Sequence, residues 1–391
     1  MASMGHGMAG MAMDTATMMK RPHAMARWVD LVLLGLAAWL VASPATLGNH
    51  SAALAWSDVL SGLLLAVLAV LALDTRRGWA AYAATMVGVW LVFAPLVFWA
   101  PDAAAYLNDT LVGGLVIGFA LILPMGMEMP GPQVPAGWSY NPATWAQRVP
   151  LLALALVGLL LSRYLAAYQL GHTDWAWDPF FGDGTMRILK SDVSHMFPVS
   201  DAGLGAATYL LELLMLSMGD ARRWRTMPWM VAFFAILVVP LGVTSIVLVI
   251  LQPLAVGTWC TACLVAAFSM LIMVPLTLDE VVAMAQFLAQ RTRAGQSFWR
   301  TFWLGGNVPE GQEARPTRPV NATSVAAATW GITLPWSLLA SVALGGWLMA
   351  APGVLGTRGA AANGDQLVGA LVVTVAMLAL AEVARPVRFL N

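Results

Sequence analysis

The chain has 391 residues, of which 60% are hydrophobic and 10% charged, with 20 basic residues balanced by 20 acidic ones. A soluble domain carries about 25% charged residues, so this composition excludes one. Several apolar runs approach the ~20 residues needed to cross a bilayer, and the mean hydropathy is +0.75. An all-α polytopic membrane protein follows, with the lipid bilayer as its surroundings and no nucleic-acid partner.

Residues 1–27 are rich in Met, with His6 and His23, and contain no apolar core, so no secretory signal is expected. Thioether and imidazole side chains suit Cu(I), but a disordered, low-complexity terminus is the expectation for this stretch. Ten spans are predicted over 28–47, 55–73, 79–99, 108–124, 150–170, 203–219, 229–251, 258–277, 330–351 and 366–383. Their even number puts both ends on one side. Of the 20 Lys and Arg, all but Arg163, Arg187, Lys190 and Arg358 then lie on the side of the termini. The positive-inside rule makes that side cytoplasmic. The expected setting is a bacterial inner membrane.

An internal repeat organises the flanks. The pattern W-L-x-x-[SA]-P occurs at Trp39–Pro44, Trp90–Pro95 and Trp347–Pro352, each followed by D-x-L-x-G at Asp58–Gly62, Asp109–Gly113 and Asp365–Gly369. Proline ends a helix where a lost hydrogen bond is tolerable, tryptophan belongs near the interface, aspartate caps a helix start, and glycine lets helices approach. Each unit therefore reads as a helical hairpin with an outer bend, two over 28–124 and a third over 330–391. These hairpins resemble the SPW repeat family of small bacterial membrane modules, and Ser43-Pro44 keeps the name-giving pair.

Between the hairpins, 125–149 is a Pro- and Gly-rich linker, 150–285 reads as a four-helix bundle, and 286–329 as a cytoplasmic linker. The bundle carries one long outer loop, 171–202, whose Trp175, Trp177, Phe180 and Phe181 suit a cap lying on the membrane surface. In this loop Asp178-Pro179 begins a turn. Long ordered loops usually serve function.

The chain's two cysteines, Cys260 and Cys263, form a C-x-x-C that opens the eighth span on the outer side. Disulfides persist on that side of the membrane, and C-x-x-C spacing points to redox or metal chemistry. A zinc-type site would need two further ligands, so no metal is expected. Cys260, at a helix N-terminus, should be the more acidic thiol. Cys263, a turn deeper, points into the bundle, and a four-helix core is a normal place for a cofactor. Glu212 lies mid-span, where ionisable side chains face an interior or cavity, and is a candidate proton relay or ligand-site acid. Asp201 is either a ligand-binding acid or the N-cap of the sixth span. His195 is a candidate proton donor at the surface, and Arg163 is expected to snorkel.

Four helices, a capping loop between the first two, a C-x-x-C opening the fourth, and the loop pattern Ile188-Leu189-x-Ser191 through Phe197-Pro198 to Leu204-Gly205 resemble the vitamin K epoxide reductase family. The resemblance implies a membrane thiol–disulfide oxidoreductase whose C-x-x-C passes two electrons to a quinone (menaquinone or ubiquinone) inside the bundle. It makes Cys260 the exchange-competent thiol, Cys263 the quinone-facing one, and Asp201 the counterpart of a quinone-binding Asn. It also implies an extracytoplasmic thioredoxin-like partner. The family's loop cysteine pair is missing, with Thr185 near the place of the second, so the internal relay is not available. The alternative is a non-catalytic relative acting as a scaffold or a hydrophobic-ligand-binding accessory subunit.

Overall fold

The computed structural model describes residues 23–48, 51–74, 78–125, 131–308, 318 and 325–390, so most of the Met- and His-rich terminus lies outside the described residues. The regular structure among the described residues is helical, with one isolated bridge between Ile332 and Ala381. Nine helices among them are long and apolar enough to span a bilayer. The remaining predicted span is the helix Asp201–Ser217, whose 17 residues sit at the lower limit for crossing.

The N-terminal unit contains α1 (His23–Leu47), α2 (Ala52–Ala72), α3 (Trp79–Val97) and α4 (Ala103–Met125). Helices α1 and α2 form one hairpin and α3 and α4 the other, and the two close into a bundle through α2 against α3 and α1 against α4. The prolines do not stop the helices. Pro44 and Pro95 lie inside the last turns of α1 and α3.

The repeat aspartates are not caps. Ser51 caps α2 by accepting the Leu54 amide, and Asp102 accepts the Ala105 amide at the start of α4 at 2.8 Å. Those earlier starts carry Asp58 and Asp109 well inside their helices. There both are buried, and their side chains hydrogen-bond to each other across the bundle. The repeat tryptophans bond across it as well. Trp39 donates its indole N–H to Asn108 at 2.7 Å, and Trp90 donates to Ser57 at 3.0 Å. Each acceptor directly precedes the other hairpin's aspartate, so the two hairpins are related by a pseudo-twofold axis.

Glycine sets the hairpin crossings. A Cβ on Gly88 would sit 2.8 Å from the Gly113 carbonyl oxygen, and one on Gly62 would sit 2.8 Å from that of Ala37. Near the C-terminus, α12 (Trp336–Leu355) and α13 (Ala360–Leu378) repeat this contact. A Cβ on Gly345 would sit 2.8 Å from the Gly369 carbonyl oxygen.

The central bundle comprises α5 (Trp145–Gln169), α7 (Asp201–Ser217), α9 (Pro228–Leu251) and α10 (Thr261–Arg293). A short α6 (Gly184–Leu189) lies in the long loop 171–202, and short α8 (Arg223–Thr226) and α11 (Phe298–Leu304) lie at the opposite end. Helix α10 outruns the predicted span 258–277 and enters the segment read as a linker. Its polar extension is held by partners from elsewhere in the chain. Tyr140 donates to Asp279 at 2.5 Å, and Arg223 donates bidentately to Glu280 at 2.5 and 2.6 Å, the strong geometry for a buried pair. Arg163 does not snorkel; its guanidinium lies 4.0 Å from the centroid of the Tyr106 ring.

Candidate redox site

The C-x-x-C is shaped by the end of one helix and the start of the next. After α9 a single π-turn, Gln252–Val256, is closed by Gly257 at φ 75°, a backbone state open to glycine without strain. The chain then extends, and Cys260 becomes the N-cap of α10, its Sγ accepting the Cys263 amide at 3.1 Å. Gln252 accepts the Cys260 amide at 2.9 Å. Residues i and i+3 at a helix start face one another, and Cys260 and Cys263 are joined as a disulfide with a Cα–Cα distance of 5.3 Å.

The long loop 171–202 is latched onto this helix start by Asp178. Within the loop its carboxylate accepts the Phe180 and Phe181 amides at 3.1 and 2.9 Å and the Thr185 hydroxyl at 2.7 Å. Across to α10 it accepts the Thr261 hydroxyl at 2.6 Å and the Thr261 amide at 3.2 Å. Burial pushes this carboxyl up, but the bonds from Thr261, Thr185 and the two amides outweigh it and hold it well below its ordinary 3.8. Gly184 lies against the Trp259 carbonyl, leaving no room for a Cβ. The latched loop lays Ile188 and Leu189 over Cys260, which is fully buried. Trp175, Trp177 and Phe180 are exposed on its outer side, where aromatic rings meet a membrane interface.

Beneath the disulfide lies a cavity of about 120 Å³. Cys263 forms part of its wall, with Leu165, Phe197, Leu241, Leu248 and Val249 among the apolar residues and Asp201, Tyr209 and Gln252 among the polar ones. Asp201 is not the helix cap. Ser200 caps α7 by accepting the Gly203 amide at 2.9 Å, leaving Asp201 to receive the Gln169 amide group at 2.5 Å and its neighbour Ala202's amide at 2.7 Å. Gln169 is itself fixed by accepting the Ser200 hydroxyl at 2.6 Å. The opposite wall is held by Tyr209, which donates to the Ala266 carbonyl at 2.8 Å.

Cys263 and Asp201 therefore meet at one cavity. His195 does not join them: it is exposed, and its Nδ1 bonds the Ser191 carbonyl oxygen at 2.9 Å. Glu212 is fully buried with neither carboxyl oxygen in a hydrogen bond, one turn from Tyr209 and outside the cavity wall. Sequence reasoning missed Asp178, Gln169 and Tyr209. The signal for Tyr209 was its place three residues before Glu212 on one helix face; Asp178 signalled only a turn, and Gln169 gave nothing beyond its polarity.

The fold and site define a polytopic membrane protein with a buried C-x-x-C disulfide at the mouth of an apolar cavity. Residues 149–278 match the vitamin K epoxide reductase family, and residues 27–123 match the SPW repeat domain. About a third of the chain is thus similar to the vitamin K epoxide reductase family, and the segment before it is similar to the SPW repeat domain. That match, with the cysteine pair, points to a membrane thiol oxidoreductase. No curated protein and no solved structure matches the chain significantly.

Proposed function

We propose that the protein is a membrane thiol–disulfide oxidoreductase that passes electrons from the Cys260–Cys263 pair to a quinone. One observation carries the reading: Cys263 forms part of a cavity wall inside the bundle while Cys260 lies beneath the outer loop. The cavity, about 120 Å³ against the 150 Å³ of an engineered apolar cavity that holds benzene, is on the scale of a single ring, and the proposal seats one ring of a quinone head there with its tail leaving between helices. Asp201, oriented by Gln169, lies where it could meet a quinone oxygen, and Glu212 is the candidate proton relay behind Tyr209. In the step itself the two thiols lose two electrons and two protons and become the disulfide. The quinone gains both and becomes quinol. The dithiol is regenerated by an extracytoplasmic thioredoxin-like partner that reaches Cys260 when the loop lifts, because no cysteine stands on the loop to relay the exchange. With the basic residues on the side of the termini, the loop and the C-x-x-C face outward and both termini are cytoplasmic.

The test uses the full chain in lipid nanodiscs, reduced, freed of reductant and mixed anaerobically with menaquinone or ubiquinone analogues. Expected is one quinol per chain, with both cysteines moving from alkylatable to protected. Cys263→Ala should form none. If reduced wild-type protein keeps both thiols in the presence of quinone, the proposal fails. The second reading then takes over, a hydrophobic-ligand-binding scaffold or accessory subunit, which the full burial of Cys260 already favours.

A further inference from the structure

The three hairpins share one design, but only two are paired. In the N-terminal unit the stripe Asp58, Ser61, Leu65 on α2 and the stripe Asp109, Val112, Val116 on α4 turn inward and are buried by the opposite hairpin. The same stripe on α13 is Asp365, Val368, Val372, at i, i+3 and i+7 on one helix face. None of these three is buried, and Val368 is 50% exposed where its counterpart Val112 is 3%. On the preceding helix Leu344 is 63% exposed where the matching Val87 is 6%. The hairpin's other side is occupied, since Leu338 and Met377 pack against Leu271 of α10.

Lipid can cover the apolar members of this open stripe. It covers Asp365 poorly, because an ionisable side chain facing hydrocarbon is costly and ordinarily turns toward protein or water. The repeat itself names the missing partner. Asp58 and Asp109 meet across a pseudo-twofold axis through one oxygen each, a contact two carboxyls make by sharing a proton. Both N-terminal hairpins enter and leave the membrane in the same sense, so their axis runs along the membrane normal. Two copies of the whole chain, inserted in the same orientation, are related by that kind of axis and no other.

We propose that this protein is a homodimer in which α12 and α13 of two copies close into the four-helix arrangement that the two N-terminal hairpins form within one chain. The Asp365 side chains of the two protomers meet at the axis as Asp58 and Asp109 do, and Val368, Val372 and Leu344 are buried around them. One feature of the template is not reproduced. Gly364 stands where the template has Ser57 or Asn108, so Trp347 finds no side-chain acceptor there, and the pairing rests on the carboxyls and the apolar stripe.

The test is cysteine cross-linking of the full-length protein in native membranes. Asp365→Cys is compared with Leu367→Cys, whose counterparts Leu60 and Leu111 are exposed on the lipid side, and with the wild type as background for the native pair. Mild oxidation should convert most of the Asp365→Cys protein to a reducible dimer and leave the Leu367→Cys and wild-type proteins monomeric. Equal cross-linking at 365 and 367 would reflect random collision and would overturn the proposal, as would none at either position. Because Asp365→Cys could itself perturb the hairpin, the wild-type mass in nanodiscs is measured in parallel. Two chains per particle, falling to one in Val368→Trp, are expected; one chain in the wild type at every protein-to-lipid ratio refutes the dimer.

Discussion

Replacing Asp178 by Ala tests whether hydrogen bonds alone hold the outer loop over the cysteines. The carboxylate takes three bonds within the loop and two from Thr261 of α10. Of these five, lifting the loop off α10 breaks the last two. A hydrogen bond to a charged group is worth about 1.5–3 kcal/mol net. At the low end, the pair holds the loop down by about 3 kcal/mol, on the order of a 100-fold change in the open population. Cys260 is fully buried when the loop is closed, so in reduced protein its alkylation rate reports that population. Asp178→Ala should raise the rate by about two orders of magnitude, and Thr261→Val, which keeps the backbone bond, by about one. Alkylation of Cys260 in Asp178→Ala at the wild-type rate would refute the latch.

The pH dependence of the latch has a definite sign. A carboxyl held below its ordinary 3.8 contributes fully above that value and is lost only as pH falls through the lowered one. Hydrogen-exchange protection of residues 178–189, corrected for intrinsic rates, should therefore be flat from about pH 8 to about pH 5 and drop only in stronger acid. Glu212→Leu removes a buried carboxyl that has no hydrogen-bond partner. It should leave the thermal midpoint unchanged or higher, while lowering single-turnover quinol formation if Glu212 relays protons. Gly158→Ala drives a methyl into the Tyr209 ring; about 1–3 kcal/mol of destabilisation is expected. Most of it should be recovered in the Gly158→Ala, Tyr209→Leu double variant, read by thermal unfolding in detergent.

Hydropathy located the spans well because each needs only a long apolar run, and the two cysteines marked the site because the chain has no others. Helix starts were less legible. Asp58 and Asp109 satisfy the local rule for a cap, yet Ser51 and Asp102 take that role earlier, and the aspartates' real partners lie in the other hairpin. Likewise α10 runs to Arg293, with Asp279 and Glu280 bonded by Tyr140 and Arg223, which are distant in sequence. Asp178 was read as a turn-former, which accounts for its two amide contacts. Its bonds to Thr261 span 83 residues, and no local pattern encodes such a contact.

The latch and the missing loop cysteines bear on each other. Thr185, near the place where the family resemblance expects a loop cysteine, instead donates to Asp178, and Asp178 in turn holds Thr261 beside Cys260. A sulfur link between loop and helix would open only with reduction, whereas this one opens thermally, its two bonds to Thr261 contributing about 3 kcal/mol of the cost. Under the proposed function, loop opening is then independent of the redox state of the loop, which has no thiol to oxidise. An external dithiol would meet Cys260 in less than about 1% of molecules at any moment. Exchange should therefore be limited by opening, and Asp178→Ala should speed reduction of the disulfide by an external dithiol while leaving the quinone step, which proceeds from Cys263 inside the bundle, at its original rate.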